Sequence, residues 1–283
     1  MPMLTSGRSR FIGGSRVPPT PVPVAGAELL TNGGFETGDI TGWTNASVGT
    51  GAPDASSGAC VLVQIDGSNY AKITQAITTA GRWYIATGNV SITGGGVGAF
   101  ARACGEVIGP IPSAAGLIKT AQAVTTTVQW QPGNATSPVS LDNLSVKQLT
   151  LSSLISTRPY ASADCDISVA VTRTAGTQAG ISARVDSTSS PANFLIAYLD
   201  GAGNVKVDKA VAGVYTNVIS GAVTYGAGYI LRLVCNGNNV SVYYNGTQVG
   251  STTAVSDAGI VGNKNHGLFS TYASNAFSGY TAA

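Results

Sequence analysis

The chain has 283 residues, 10% of them charged, with a net charge of +2. That near balance argues against a nucleic-acid binder, and no apolar run reaches the roughly 18 residues of a membrane-spanning helix. The four cysteines, at 60, 104, 165 and 235, match no zinc spacing.

Residues 1–26 read as an arm. They hold five prolines and three arginines, with no periodic apolar face and no apolar core of a secretory signal. Prolines favour extended polyproline geometry, and such a segment builds no core alone. The expectation is an extended arm lying along a partner subunit. Arg8, Arg10 and Arg16 would supply charge, and Phe11 and Ile12 an anchor. Synthesis in the cytosol, or export by a route not written in the sequence, is expected.

Beyond the arm, short apolar–polar alternations recur between Gly, Asn and Pro. Ala59–Ile65 is one example. This pattern predicts an all-β sandwich. Trp83–Ile92 reads as a central strand pair, Gly94–Gly96 as a turn, and Ala123–Trp130 as a further strand ending at Pro132-Gly133. In the second half, Asp166–Thr172 alternates and Phe194–Leu199 is a strand turned by Asp200-Gly201. Tyr229–Cys235 and Val240–Val249 flank Asn236–Asn239. Cys60, Cys104 and Cys235 lie in or beside such apolar segments and read as buried free thiols. Disulfides are the alternative in an extracellular particle, with no connectivity derivable.

Two segments carry a resemblance. Asn32-Gly-Gly-Phe35-Glu36 with Gly42-Trp43, and Leu141-Asp142-Asn143-Leu144-Ser145-Val146, resemble the opening and closing strands of carbohydrate-binding modules of the family 4/9/22 kind. The resemblance implies a β-jelly-roll over residues 27–149. It also implies a structural calcium held by Glu36 and Asp142, with backbone carbonyls completing the six to eight oxygens calcium takes. Residues 150–283 resemble laminin-G or concanavalin A-like domains, through Tyr243-Tyr-Asn245-Gly246-Thr-Gln-Val249 and the returning segment Gly262–Ser270. The organisation expected is two tandem β-sandwiches behind an arm.

Catalysis has little support. The lone histidine, His266, reads as a surface-loop residue, and no Gly-x-Ser-x-Gly elbow exists. The second domain contains no glutamate, whereas glycoside hydrolysis usually needs a carboxylate pair. For sugar binding, Tyr70, Tyr84 and Trp130 are the candidate platform. Trp43 and Trp83 sit where core packing is expected. The low charge, arm and tandem sandwiches resemble bacteriophage virion structural proteins. The expected function is therefore a non-enzymatic virion protein, a capsid decoration or a tail or baseplate appendage. It would be anchored to other virion subunits in a large assembly, with host-surface glycans as accessory ligands. A secreted or cell-surface carbohydrate-binding protein is the alternative.

Overall fold

The computed structural model describes residues 17–66, 68–92, 99–103, 106–111, 114–132 and 138–283. Arg8, Arg10, Phe11, Ile12, Arg16, the Gly94–Gly96 turn, Cys104 and Gly133 lie outside them. The fold is all-β, with two helical turns of four residues each among the described residues.

The first sandwich faces two sheets across one core. One sheet runs Ala25–Glu28, Val139–Leu149, Trp83–Ile92, Ala114–Gln122, with Cys60–Leu62 also on Val139–Leu149. The other runs Thr44–Asn45, Ile73–Gln75, Val128–Pro132, Ala99–Ala103, Glu106–Ile111. Leu62, Tyr84, Val90, Leu141 and Val146 from one sheet meet Ile73, Val128 and Trp130 from the other. Trp83–Ile92 is one strand rather than a pair, and residues 123–127 are not strand.

The second sandwich packs Ile155–Pro159, Asn265–Ser270, Ala179–Val185, Phe194–Leu199, Asn204–Val211, Val214–Ala222 against a second sheet. That sheet runs Thr247–Ala254, Asn239–Tyr244, Tyr229–Asn236, Cys165–Thr172, Ala276–Ala282. Among the described residues, no strand before residue 150 pairs with one after it. The Tyr244-Asn-Gly-Thr247 turn places Asn245 at φ 47° and Gly246 at φ 83°. Two positive φ values are what a two-residue hairpin loop demands, and Asn-Gly meets them with least strain.

The motif residues of the first sandwich explain themselves by packing. Phe35 is fully buried and stacks on Trp43 at 5.8 Å, and Trp43 Nε1 donates to Asn32 O. Leu144 N donates to Gly33 O at 2.8 Å. A Cβ on Gly33 would stand 2.0 Å from Leu144 O, so the approach requires glycine. Leu144 sits in a bulge where register slips between Asp142 and Ser145. The opening and closing segments are thus two halves of one contact.

The arm departs from expectation where it is described. Val24 N donates to Ser153 Oγ, Thr150 N donates to Val24 O, and Ala25 pairs with Leu149. The end of the arm therefore lies on its own chain, because Val24 and Ala25 find backbone partners there. Glu28 fixes the next step. Its carboxylate accepts from Ser145 Oγ and from the N–H groups of Leu29, Leu30 and Val146.

A third core joins the sandwiches. Trp83, Leu149 and Leu154 pack on Val185, Phe194, Ile196, Tyr198, Ala210 and Phe269. The outer face of a second-domain sheet is thereby covered. Phe194–Leu199 is buried along its whole length, because odd positions face its own sandwich and even positions face the first.

Candidate functional site

The sugar platform expected from sequence does not assemble. Trp130 is 1% exposed and Tyr84 3% exposed, both inside the first core. Tyr84 Oη accepts from Thr79 N at 2.9 Å. Strand parity is the reason: Tyr84 shares its face with Ala86 and Val90, which point inward. Tyr70 is half-buried in a short ribbon with Gln64–Asp66, a separate two-stranded sheet. None of the three offers an open ring face beside the others.

Glu36 is exposed, and Asp142 is half-buried. Asp142 Oδ1 accepts from Asn143 N and Oδ2 from Asn143 Nδ2, each at 2.7 Å. Among the described residues no three His, Cys, Asp or Glu side chains group together. The carboxylate donor set for calcium is thin, and one member already has two donors.

His266 is not in a surface loop. It lies within the Asn265–Ser270 strand and is 1% exposed. Its Nδ1 accepts from Arg184 N at 3.1 Å, which leaves Nε2–H to donate to Ser162 O at 3.0 Å. Burial pushes its pKa down, aided by the Arg184 charge and opposed by the Ser162 bond. It is a neutral structural group.

The structure instead gathers polar side chains where the two sandwiches meet. A cleft of about 240 Å³ lies there. Trp83 from the first sandwich forms its floor. The indole stands edge-on to Tyr198 at 6.0 Å and Tyr215 at 6.4 Å, and its Nε1 donates to Tyr215 Oη at 3.2 Å. Trp83 has opposite parity to Tyr84, so it leaves the first core and enters the joint.

The walls are polar. Asp208 accepts from Tyr198 Oη at 2.6 Å through Oδ2 and from Asn217 Nδ2 at 2.8 Å through Oδ1. Asp200 Oδ1 accepts from Ala202 N and Asn204 N, and its Oδ2 from Asn204 Nδ2, with Lys206 Nζ at 3.4 Å. Burial works against the Asp200 charge, but these bonds and Lys206 outweigh it and hold the carboxyl below its usual value. Burial pushes the Tyr215 hydroxyl well up, so it stays protonated. Gln178 closes the back, donating to Thr120 O and Asp200 O and accepting from Thr120 Oγ1. Gln122 and Val124 complete the first-domain rim.

The cleft needs both sandwiches. It is smaller than the roughly 300–1,000 Å³ of drug-sized ligand sites, so it suits one ring rather than an extended chain. Its walls carry carboxylate acceptors, amides with both donors and acceptors, and an ammonium. The one sequence signal for it is the missing alternation in Phe194–Leu199, which marks a strand covered on both faces.

No protein-family model matches the chain, and no curated protein matches it either. Among solved structures it is similar to the carbohydrate binding module CBM66 from Bacillus subtilis, at 16% identity and TM-score 0.37, over 45% of this chain and 80% of that one. It is similar to sheep galectin-11 at 8% identity and TM-score 0.36, over 45% and 94%. The kappa-carrageenase from Pseudoalteromonas carrageenovora gives 10% identity and TM-score 0.28, over 95% and 85%. At these TM-scores none of the three likenesses bears on what this chain binds.

Proposed function

We propose that this protein is a non-enzymatic carbohydrate binder that takes one sugar ring of a glycan in the cleft between its sandwiches. The supporting observation is the convergence of Asp208, Asn217, Lys206 and Gln122 over the Trp83–Tyr215 floor. The carboxylate accepts from ring hydroxyls, the amide both donates to and accepts from them, and the aromatic side chains supply apolar surface for the C–H groups of a ring.

The non-enzymatic half rests on the state of the two carboxylates. A general acid for glycosidic cleavage needs a raised carboxyl. Asp200 is held below its usual value, and both oxygens of Asp208 already have donors. A glycan array followed by calorimetry tests the reading. Asn217→Ala, at an exposed position, should weaken binding of the selected glycan at least tenfold, with release of no reducing sugar. Equal affinity in that variant, or turnover of the bound glycan, would overturn it.

The setting is proposed on sequence grounds: a bacteriophage virion protein, a capsid decoration or a tail or baseplate appendage, held to other virion subunits by the basic proline-rich arm, with host-surface glycans as ligands. A mass-spectrometric inventory of purified particles tests it. Absence from every particle would favour the secreted or cell-surface alternative. A calcium shared by Glu36 and Asp142 is proposed from the family resemblance. Chelator should lower the melting temperature of wild type and leave Glu36→Gln unmoved; an unchanged wild-type curve leaves Asp142 only its bonds to Asn143.

A further inference from the structure

At one end of the second core, two thiols face each other beside a buried arginine. Cys165 and Cys235 are directly opposite in register on neighbouring antiparallel strands. Both are free and buried, so the register brings two unoxidised sulfurs to the same end of the core. Opposed Cα atoms in antiparallel pairs stand about 4.5–5.5 Å apart, within the roughly 4.4–6.8 Å that a disulfide spans.

Arg184 lies where the register of its strand slips between Ser182 and Val185, with φ 50°. The bulge turns its side chain inward, and it is fully buried. Nε donates to Ala163 O at 2.9 Å, and Nη2 donates to Gly237 O at 2.7 Å and Asp164 Oδ1 at 3.0 Å. Nη1 has no hydrogen-bond partner among the described residues. The guanidinium charge favours a thiolate over a thiol at both sulfurs. Interaction with the neighbouring Cys165 thiol and the charge of Arg184 pull Cys235 below the ordinary thiol value despite burial, while Cys165 is pushed up by its interaction with Cys235 and by burial.

We propose that Cys165 and Cys235 are a redox-active dithiol that closes to a cross-strand disulfide on exposure to a peroxide. The Cys235 thiolate attacks one peroxide oxygen, the O–O bond breaks, and Cys235 becomes a sulfenic acid while hydroxide leaves and is protonated to water. The Cys165 sulfur then attacks the Cys235 sulfur. The S–O bond breaks, and the departing hydroxide takes the Cys165 proton as a second water. Two thiols lose two electrons and two protons, and one peroxide becomes two waters. Cys165 opens its strand and Cys235 is followed by Asn236 and the Gly237 turn, so the pair sits at the end of the sheet rather than in its middle. Among the described residues Cys60 has no such partner, and burial with the Asp54 charge pushes its thiol up to about 12.

The intact protein is treated with hydrogen peroxide, its remaining thiols are alkylated, and it is digested without reductant for mass spectrometry. The expected result is a peptide linked through Cys165 and Cys235, with Cys60 alkylated, and a raised melting temperature that dithiothreitol reverses. Both thiols recovered as alkylated, or Cys235 recovered as sulfinic acid without a link, would overturn the proposal. Cys165→Ser supplies a second measurement. Its Cys235 should be trapped as a dimedone adduct, and the absence of that adduct also counts against the proposal.

Discussion

Single residues explain the motifs better than they explain the ligand. Gly33 touches Leu144 backbone to backbone, and both lie in segments whose spacing marks them in the sequence. Gly33→Ala drives a Cβ to 2.0 Å from Leu144 O, so the loop must move and the Leu144 N–H bond stretches. We expect a loss of about 1–3 kcal/mol in urea denaturation; an unchanged midpoint would sink this account. Glu28 carries a pH signature. Burial opposes its charge, but the bonds from Ser145, Leu30, Val146 and Leu29 prevail, so its folded pKa lies below its unfolded one. Its stabilisation is therefore fully present above the unfolded value of about 4.3 and is lost as pH falls through the lower folded value. The stability gap between wild type and Glu28→Gln should shrink on acidification through that window, and a gap constant with pH would refute it. What the sequence hides at this scale is parity. Tyr84 and Trp83 are neighbours with opposite fates, and neither composition nor the single letter W says which face a strand buries.

At the scale of elements, the informative strand is Phe194-Leu-Ile-Ala-Tyr-Leu199. An outer-face position on a solvated sheet tolerates truncation within about 0.5 kcal/mol. Ile196 points away from its own sandwich yet is fully buried against the first. Ile196→Ala should therefore cost about 2–5 kcal/mol, like a core truncation, and a near-neutral result would mean the sheet is not covered in solution. The strands themselves are legible: alternation locates Asp166–Thr172 and the Tyr229–Cys235 strand with its turn at Asn236–Asn239, because one face of each meets water, whereas the expected Val240–Val249 segment is split by the Asn245-Gly246 turn. Residues 123–127 misled, since a Thr-rich alternating run lies between two strands rather than within one. The bulge at Ser182–Val185 and the buried Arg184 leave no local mark at all, because they are set by His266, Asp164 and carbonyls that meet them from distant segments.

For the whole molecule, two tandem all-β sandwiches could be read from alternation and turn chemistry, while the joint between them could not. Its residues come from Trp83, Leu149–Ile155 and alternate positions of several second-domain strands, a set with no spacing in common. This third core makes one prediction of its own. Calorimetry should show a single unfolding transition with matching calorimetric and van't Hoff enthalpies, and two resolved transitions would show that the joint does not couple them. The same joint has a mechanical meaning. Val139–Leu149 ends one residue before the Leu151–Leu154 turn, and Ile155–Pro159 begins directly after it. There is no slack chain to take up a pull. Tension applied to the first sandwich passes at once into the edge strand of the second, in parallel with the Trp83 contacts. Such a pull would have to break the Trp83, Leu149 and Leu154 packing before the two sandwiches could separate.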